Sequence, residues 1–152
     1  MIAPEASQCH EKRQFGTHEG DTLAYSFPDA GRRDWTDAKH LAADDRFQNA
    51  GHLLGLAAEC LAKEVLERAG IITDKSSAQQ WSHFPKIARD IRMDARTRAM
   101  IPLLPILANS KFLDGWQVEC RYEVTMPGSA AETRYRSWRA DVDKLFNAAG
   151  IP

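Results

Sequence analysis

Apolar side chains between residues 46 and 70 recur at helical steps. Phe47, Ala50, Leu54, Ala57, Leu61 and Val65 fall on one face, and Leu53, Leu56 and Cys60 form a second apolar line beside it. From Ala50 to Ala62 the only ionisable groups are His52, Glu59 and the weakly acidic Cys60. A helix apolar over so much of its circumference needs neighbours on several sides, which puts it at the centre of a bundle. Its expected span is Arg46 to Ala69, with Gly70 as the left-handed stop.

The remaining pattern supplies the neighbours. Asp34 is suited to cap a first helix from Trp35 to Asp44, and Asp44-Asp45 breaks the pattern before the central helix. Residues 1–33 show no sustained period and predict an irregular N-terminal arm, with Leu23 to Phe27 as a short extended piece stopped by Pro28. Beyond a polar loop from Thr73 to Gln80, Ser82 or His83 would cap a third helix with Pro85 in its first turn. Ile87, Ala88 and Ile91 would face inward. Helix should restart near Asp94 and be broken by Pro102 and Pro105. Lys111 to Met126 predicts a turn and an extended connection, and Ser129-x-x-Glu132 matches a capping box for a last helix. That helix would bury Tyr135, Trp138, Val142, Leu145 and Ala149 and end at Gly150. The expected fold class is all-α: a four- to five-helix up-and-down bundle over residues 34–152, with no sheet.

Composition narrows the picture. A chain of 152 residues is one domain by length, and a formal charge of −1 argues against bulk attraction to nucleic acid. The charge is uneven: residues 1–85 hold 9 Lys/Arg against 13 Asp/Glu, whereas residues 86–139 hold 10 against 6. Cys9, Cys60 and Cys120 lack paired spacing and read as reduced thiols of a cytoplasmic protein. No apolar run is long enough to span a membrane, and no leader pattern opens the chain.

Several ordered segments resemble one family. Asp37-Ala38-x-x-Leu41, then Arg46-Phe47-x-Asn49-Ala50-x-His52-Leu53-x-Gly55, then Ala57-Ala58-Glu59-Cys60-Leu61-Ala62-Lys63 resemble the opening helices of HEPN domains. His83-Phe84-Pro85-Lys86-Ile87 resembles the start of that family's third helix, and Trp116 followed by Arg121-Tyr122-Glu123 its segment before the last helix. The similarity covers residues 34–150 in the family's order. It implies a helical bundle, a homodimer, and work beside nucleotidyltransferase-type partner proteins or within prokaryotic toxin-antitoxin, defence or stress systems.

The family's best-known activity is metal-independent RNA cleavage by an Arg-x4–6-His motif near the start of a late helix. Arginine would stabilise phosphorane charge while histidine moves the 2′-hydroxyl proton. Here no histidine follows His83, so that motif is missing from its usual place. Arg46 and His52 satisfy the spacing elsewhere, but six positions along a helix set two side chains roughly 120° apart. The plainer reading makes Arg46 a solvated first-turn residue and His52 hydrogen-bonded inside the bundle.

Glu59 and Lys63 form an i,i+4 pair in apolar surroundings, where an unpaired carboxylate would be costly. A structural tie from Glu59 to Arg121 or Tyr122 is expected over ligand binding. Arg121-Tyr122 also admits a functional reading, a guanidinium for a nucleotide phosphate and a phenol to stack a base. The basic run from Lys86 to Arg98 reads as a solvated face before an RNA-contacting one. No metal-ligand spacing, phosphate loop or cofactor motif is present.

The function expected is a non-catalytic HEPN-like module that binds a nucleotide, RNA or a protein partner. An active ribonuclease toxin and a purely structural interaction subunit are the rivals. The chain itself adds one argument for a homodimer: Phe112, Trp116, Trp138 and Phe146 need cover, from a second subunit or from Tyr25 and Phe27 of the arm.

Overall fold

The computed structural model describes residues 26–73, 77–99 and 102–151. The expected arm up to Tyr25, including its histidines and Cys9, lies outside the described residues. Five α-helices, joined by short 3₁₀ turns, make up the described chain: α1 (Phe27–Ala43), α2 (Phe47–Arg68), α3 (Lys86–Met93), α4 (Leu104–Leu107) and α5 (Gly128–Ala148). No strand occurs among the described residues, and the all-α bundle expected from periodicity is what forms.

Helix α1 starts earlier than Asp34. Ser26 is the N-cap, its hydroxyl accepting from the Asp29 N–H at 3.2 Å. Pro28 stands in the first turn, where a missing N–H leaves no bond unmade, so it opens a helix rather than stopping an extended piece. Residues 27–33, expected in the arm, therefore belong to the bundle, and Phe27 is in the core. Gly31 explains why this turn lies so close to α2. A Cβ there would sit 3.1 Å from both the Ala57 carbonyl oxygen and Cys60 Cβ. The link at Asp44–Arg46 is closed by the Arg46 N–H on the Leu41 carbonyl at 2.9 Å, with Asp45 left-handed at φ 58°. A connection this short makes α1 and α2 antiparallel neighbours.

Eleven of the 22 residues of α2 are buried, so it is the central helix its sequence predicts. Ala50, Leu54, Ala57, Leu61 and Val65 are buried, whereas Leu53, Leu56 and Cys60 are only partly covered. Gly70 takes φ 69°, and its N–H bonds to the Glu67 carbonyl while the Ile71 N–H reaches Leu66. This paired closure satisfies two otherwise free carbonyls. Gly150 ends α5 in the same way, through Asn147 and Phe146.

One further expectation fails, and two are refined. The capping box does not form: α5 begins at Gly128, Ser129 lies inside it, and Glu132 instead pairs with Arg136 at 2.6 Å. The element expected to restart near Asp94 and break at Pro102 and Pro105 is broken, into a 3₁₀ turn (Ala95–Ala99) and the single turn α4. The stretch from Lys111 contains a 3₁₀ turn over Val118–Tyr122 before the extended run to Pro127.

Phe112, Trp116, Trp138 and Phe146 are all buried within the one chain, which removes the packing argument for a second subunit. Trp35 stacks on Phe146 at 4.5 Å and donates from Nε1 to Asp143 at 2.8 Å, fastening α1 to α5. Two indoles from the second half lie on glycines of α2. Trp138 covers Gly51, where a Cβ would be 3.0 Å from its ring, and Trp116 covers Gly55, where a Cβ would be 1.8 Å away.

Replacing Gly55 by Ala should therefore destabilise the protein by about 1–3 kcal/mol through overpacking, despite the roughly 1 kcal/mol of helix propensity alanine adds. Gly51→Ala should cost less, because its ring contact is at the edge of tolerance rather than inside the van der Waals radius. Chemical denaturation of the two variants checks the order.

Candidate functional site

Residues from α2 reach two different places. Glu59 turns inward, its side chain only 3% exposed. It does not meet Arg121 or Tyr122. One carboxylate oxygen accepts from the Phe84 N–H at 3.1 Å, and His83 Nδ1 lies 2.9 Å from the other. Lys63 Nζ adds a looser contact at 3.7 Å. The carboxylate thus holds the chain where it enters α3. A buried acid there gives the Phe84 N–H, which no helix bond satisfies, its partner. Glu59 and Lys63 belong to the scaffold.

His52 faces the other way, into a cleft of about 400 Å³ between α2 and the segment 120–125. Gln48 and Asn49 line it from the preceding turn, as i−4 and i−3 positions must. Arg121, Cys120, Glu123 and Thr125 line it from the opposite wall. Gln48 fixes that wall by using both ends of its amide. Its Nε2 donates to the carbonyls of Glu123 and Val124 at 3.3 and 3.2 Å, and its Oε1 accepts from the Met126 N–H at 3.1 Å. Glu123 is committed to Arg134 at 2.6 Å. The groups left to meet a ligand are His52, Asn49, Arg121 and Thr125.

His52 is not hydrogen-bonded within the bundle as its plain reading required. Its ring stacks on Trp116 at 5.8 Å, nearly parallel, and its buried Nδ1 has no hydrogen-bond partner among the described residues. Burial, and next the positive charge of Arg121, push its pKa below the usual histidine value. The imidazole is neutral at pH 7, able to accept a proton or to stand beside an incoming anion.

Arg46 is not its partner. Arg46 caps α2 without a side-chain bond and lines an adjoining, smaller hollow of about 280 Å³, which shares Gln48, Asn49 and Thr125 with the cleft but not His52 or Arg121. The arginine that joins His52 is Arg121, from the other half of the chain. Arg121 lies over the Tyr122 ring at 4.7 Å, and Tyr122 is exposed outside the cleft. Of the expected site residues, the fold therefore unites His52 with Arg121 and leaves Arg46, Tyr122, Glu59 and Lys63 elsewhere. Sequence reasoning missed Gln48, Asn49 and Thr125. The first two were detectable, since they share His52's side of a helix.

Cys120 is buried in the cleft wall, and burial raises its thiol pKa, as it raises that of Cys60 to about 11, so neither is an activated nucleophile. Among the described residues, no group of three His, Cys, Asp or Glu side chains could hold a metal, and no helix is long and apolar enough to cross a membrane.

Two stability measurements follow. Glu59→Ala should cost about 1–3 kcal/mol, because it strands the Phe84 N–H, whereas a loss under half a kcal/mol would show that the clasp is idle. His52 has a folded pKa below its unfolded one, so the unfolded state binds more protons as pH falls, and stability falls through and below the ordinary histidine range. In His52→Gln the drop in melting temperature between pH 7.5 and 5.5 should be smaller than in the parent. No protein-family model matches the chain, and neither a curated protein nor a solved structure does.

Proposed function

We propose that this chain is a HEPN-like helical module that binds a nucleotide-type phosphate ligand, single-stranded RNA above all, in the His52–Arg121 cleft, and binds it without cleaving it. The observation that carries the reading is the meeting of Arg121 with a neutral, half-buried histidine, 69 positions away in the chain, in one cleft. A guanidinium gives a phosphate charge-assisted hydrogen bonds, and the Asn49 amide and Thr125 hydroxyl offer neutral ones. The ordered resemblance of residues 34–150 to HEPN domains supports the same ligand class and a setting in a prokaryotic defence or stress system.

One observation favours a second reading, cleavage of the RNA. His52 can take a 2′-hydroxyl proton, and Arg121 can stabilise the charge that forms on phosphorus. In-line cleavage also needs an acid for the departing 5′ oxygen. Glu123 is ion-paired, Tyr122 points out of the cleft, and an arginine does not give up its proton. Binding is the function that the groups present support more fully.

Anisotropy of a labelled single-stranded RNA tests it. Arg121→Ala should weaken binding about tenfold or more, the worth of a charged hydrogen-bond donor. A bound phosphate favours the imidazolium, so affinity should rise as pH falls from 7.5 to 6, and this rise should vanish in His52→Gln. Unchanged affinity in Arg121→Ala would sink the reading. Cleavage in chelator-containing buffer, lost in His52→Gln, would establish the nuclease instead.

A further inference from the structure

A second hollow, of about 790 Å³, lies apart from the His52 cleft. It lies between the start of α3, with the 3₁₀ turn Ala78–Trp81 before it, and residues 117–119. Trp81 stands on its edge 70% exposed, an unusual setting for the most costly side chain to leave in water. Lys86, Arg89 and Arg92, three residues apart on one face of α3, bring positive charge to the same groove. Lys86 is held by Asp90 at 2.7 Å and Ser82 at 3.0 Å, and Arg92 reaches the Ala108 carbonyl at 3.4 Å. Arg89 is exposed and has no ion pair among the described residues. Glu119 is the one acidic side chain lining the groove, and His83 the one histidine.

We infer that this groove is a binding track for a single-stranded nucleic acid, with a base stacked on Trp81 and phosphates on Arg89 and Arg92. The chemistry selects that occupant. A flat exposed indole suits a base of any sequence, and cations set beside it suit the backbone between bases. An acidic peptide would satisfy the cations and leave the indole face unused.

The groove and the His52 cleft are lined by consecutive residues of one turn. The 3₁₀ turn Val118–Tyr122 has Val118 and Glu119 on the groove side and Cys120 and Arg121 on the cleft side. At about 2 Å of rise per residue the turn is about 10 Å long, comparable to about three nucleotides of a stacked strand. One strand can lie on Trp81 and reach Arg121. This inference extends the proposed function, yet the groove stands or falls on its own residues.

Two RNA probes separate the sites: a trinucleotide, which the His52 cleft alone can hold, and a 12-mer, which needs the groove as well. Trp81→Ala and Arg89→Glu, both at exposed positions and checked for fold by circular dichroism, should each weaken the 12-mer at least fivefold and leave the trinucleotide unchanged. Arg89→Glu should also flatten the dependence of log affinity on log salt by about one. The 12-mer should quench tryptophan fluorescence in the parent and not in Trp81→Ala, because Trp116 and Trp138 are buried and Trp35, partly buried against Phe146, lines neither hollow. The same results with a DNA 12-mer support the groove equally, since stacking and phosphate contacts need no 2′-hydroxyl. The inference is overturned if the 12-mer does not bind, binds both variants as well as the parent, or still quenches Trp81→Ala. If Arg121→Ala leaves the trinucleotide unaffected while Trp81→Ala still weakens the 12-mer, the cleft reading fails and the groove survives.

Discussion

Trp138 and Trp116 lie on α2 only because Gly51 and Gly55 carry no side chain. These two contacts join the halves of the chain. The first two helices form a local hairpin that needs little help, whereas everything after Met93 reaches the bundle through irregular connections. The indoles supply large apolar area at fixed points, and the glycines are the only positions on α2 where they can come so close. Trp138 adds a hydrogen bond from Nε1 to the Asp114 carbonyl at 2.9 Å, tying the loop before Trp116 to α5. His52 stands between the two glycines and stacks on Trp116, so its orientation follows from the same packing.

The polar side chains of α2 complete the attachment. Gln48 near one end bonds only backbone groups of a connection that has no ladder of its own, and Glu59 in the middle bonds the Phe84 N–H and the His83 ring of another. Buried or half-buried backbone needs partners, and a side chain on a rigid central helix supplies them at a fixed distance. Glu59 thereby sets the start of α3, and with it the position of Trp81 and the basic face. Gln48 sets the run 123–126, and with it the wall that carries Arg121. Both hollows owe their walls to α2.

Charge is divided along the same line. Most arginines and lysines on α5 and α3 have carboxylates one helical turn away, pairs such as Arg136 with Glu132 and Lys86 with Asp90, worth little at an exposed surface. Arg121 and Arg89 lack such pairs among the described residues; Arg121 lies over the Tyr122 ring, and Arg89 lines the same groove as Trp81. An uncompensated guanidinium next to an aromatic face is a place where an anion with a flat group gains on both counts.

Helical periodicity was enough to fix α2, its buried face, its stop at Gly70 and the inward Tyr135, Trp138, Val142 and Leu145 of α5, because those features depend on neighbours three and four positions away. Ala149, expected inward as well, is only half-buried at the cap. The start of α1 was hidden by Pro28, which the same local reasoning treats as a break unless a cap is recognised just before it. The capping box at Ser129 failed for the converse reason, a good local signal set aside when the helix began two positions earlier, with Pro127 in the cap position. What joins Glu59 to Phe84, or His52 to Arg121, is a different kind of information. These partners are 25 and 69 positions apart, and nothing local to either fixes which distant segment will pass in front of it. That choice belongs to the packing of Trp116 and Trp138 on two glycines, a matter of shape complementarity across the folded chain.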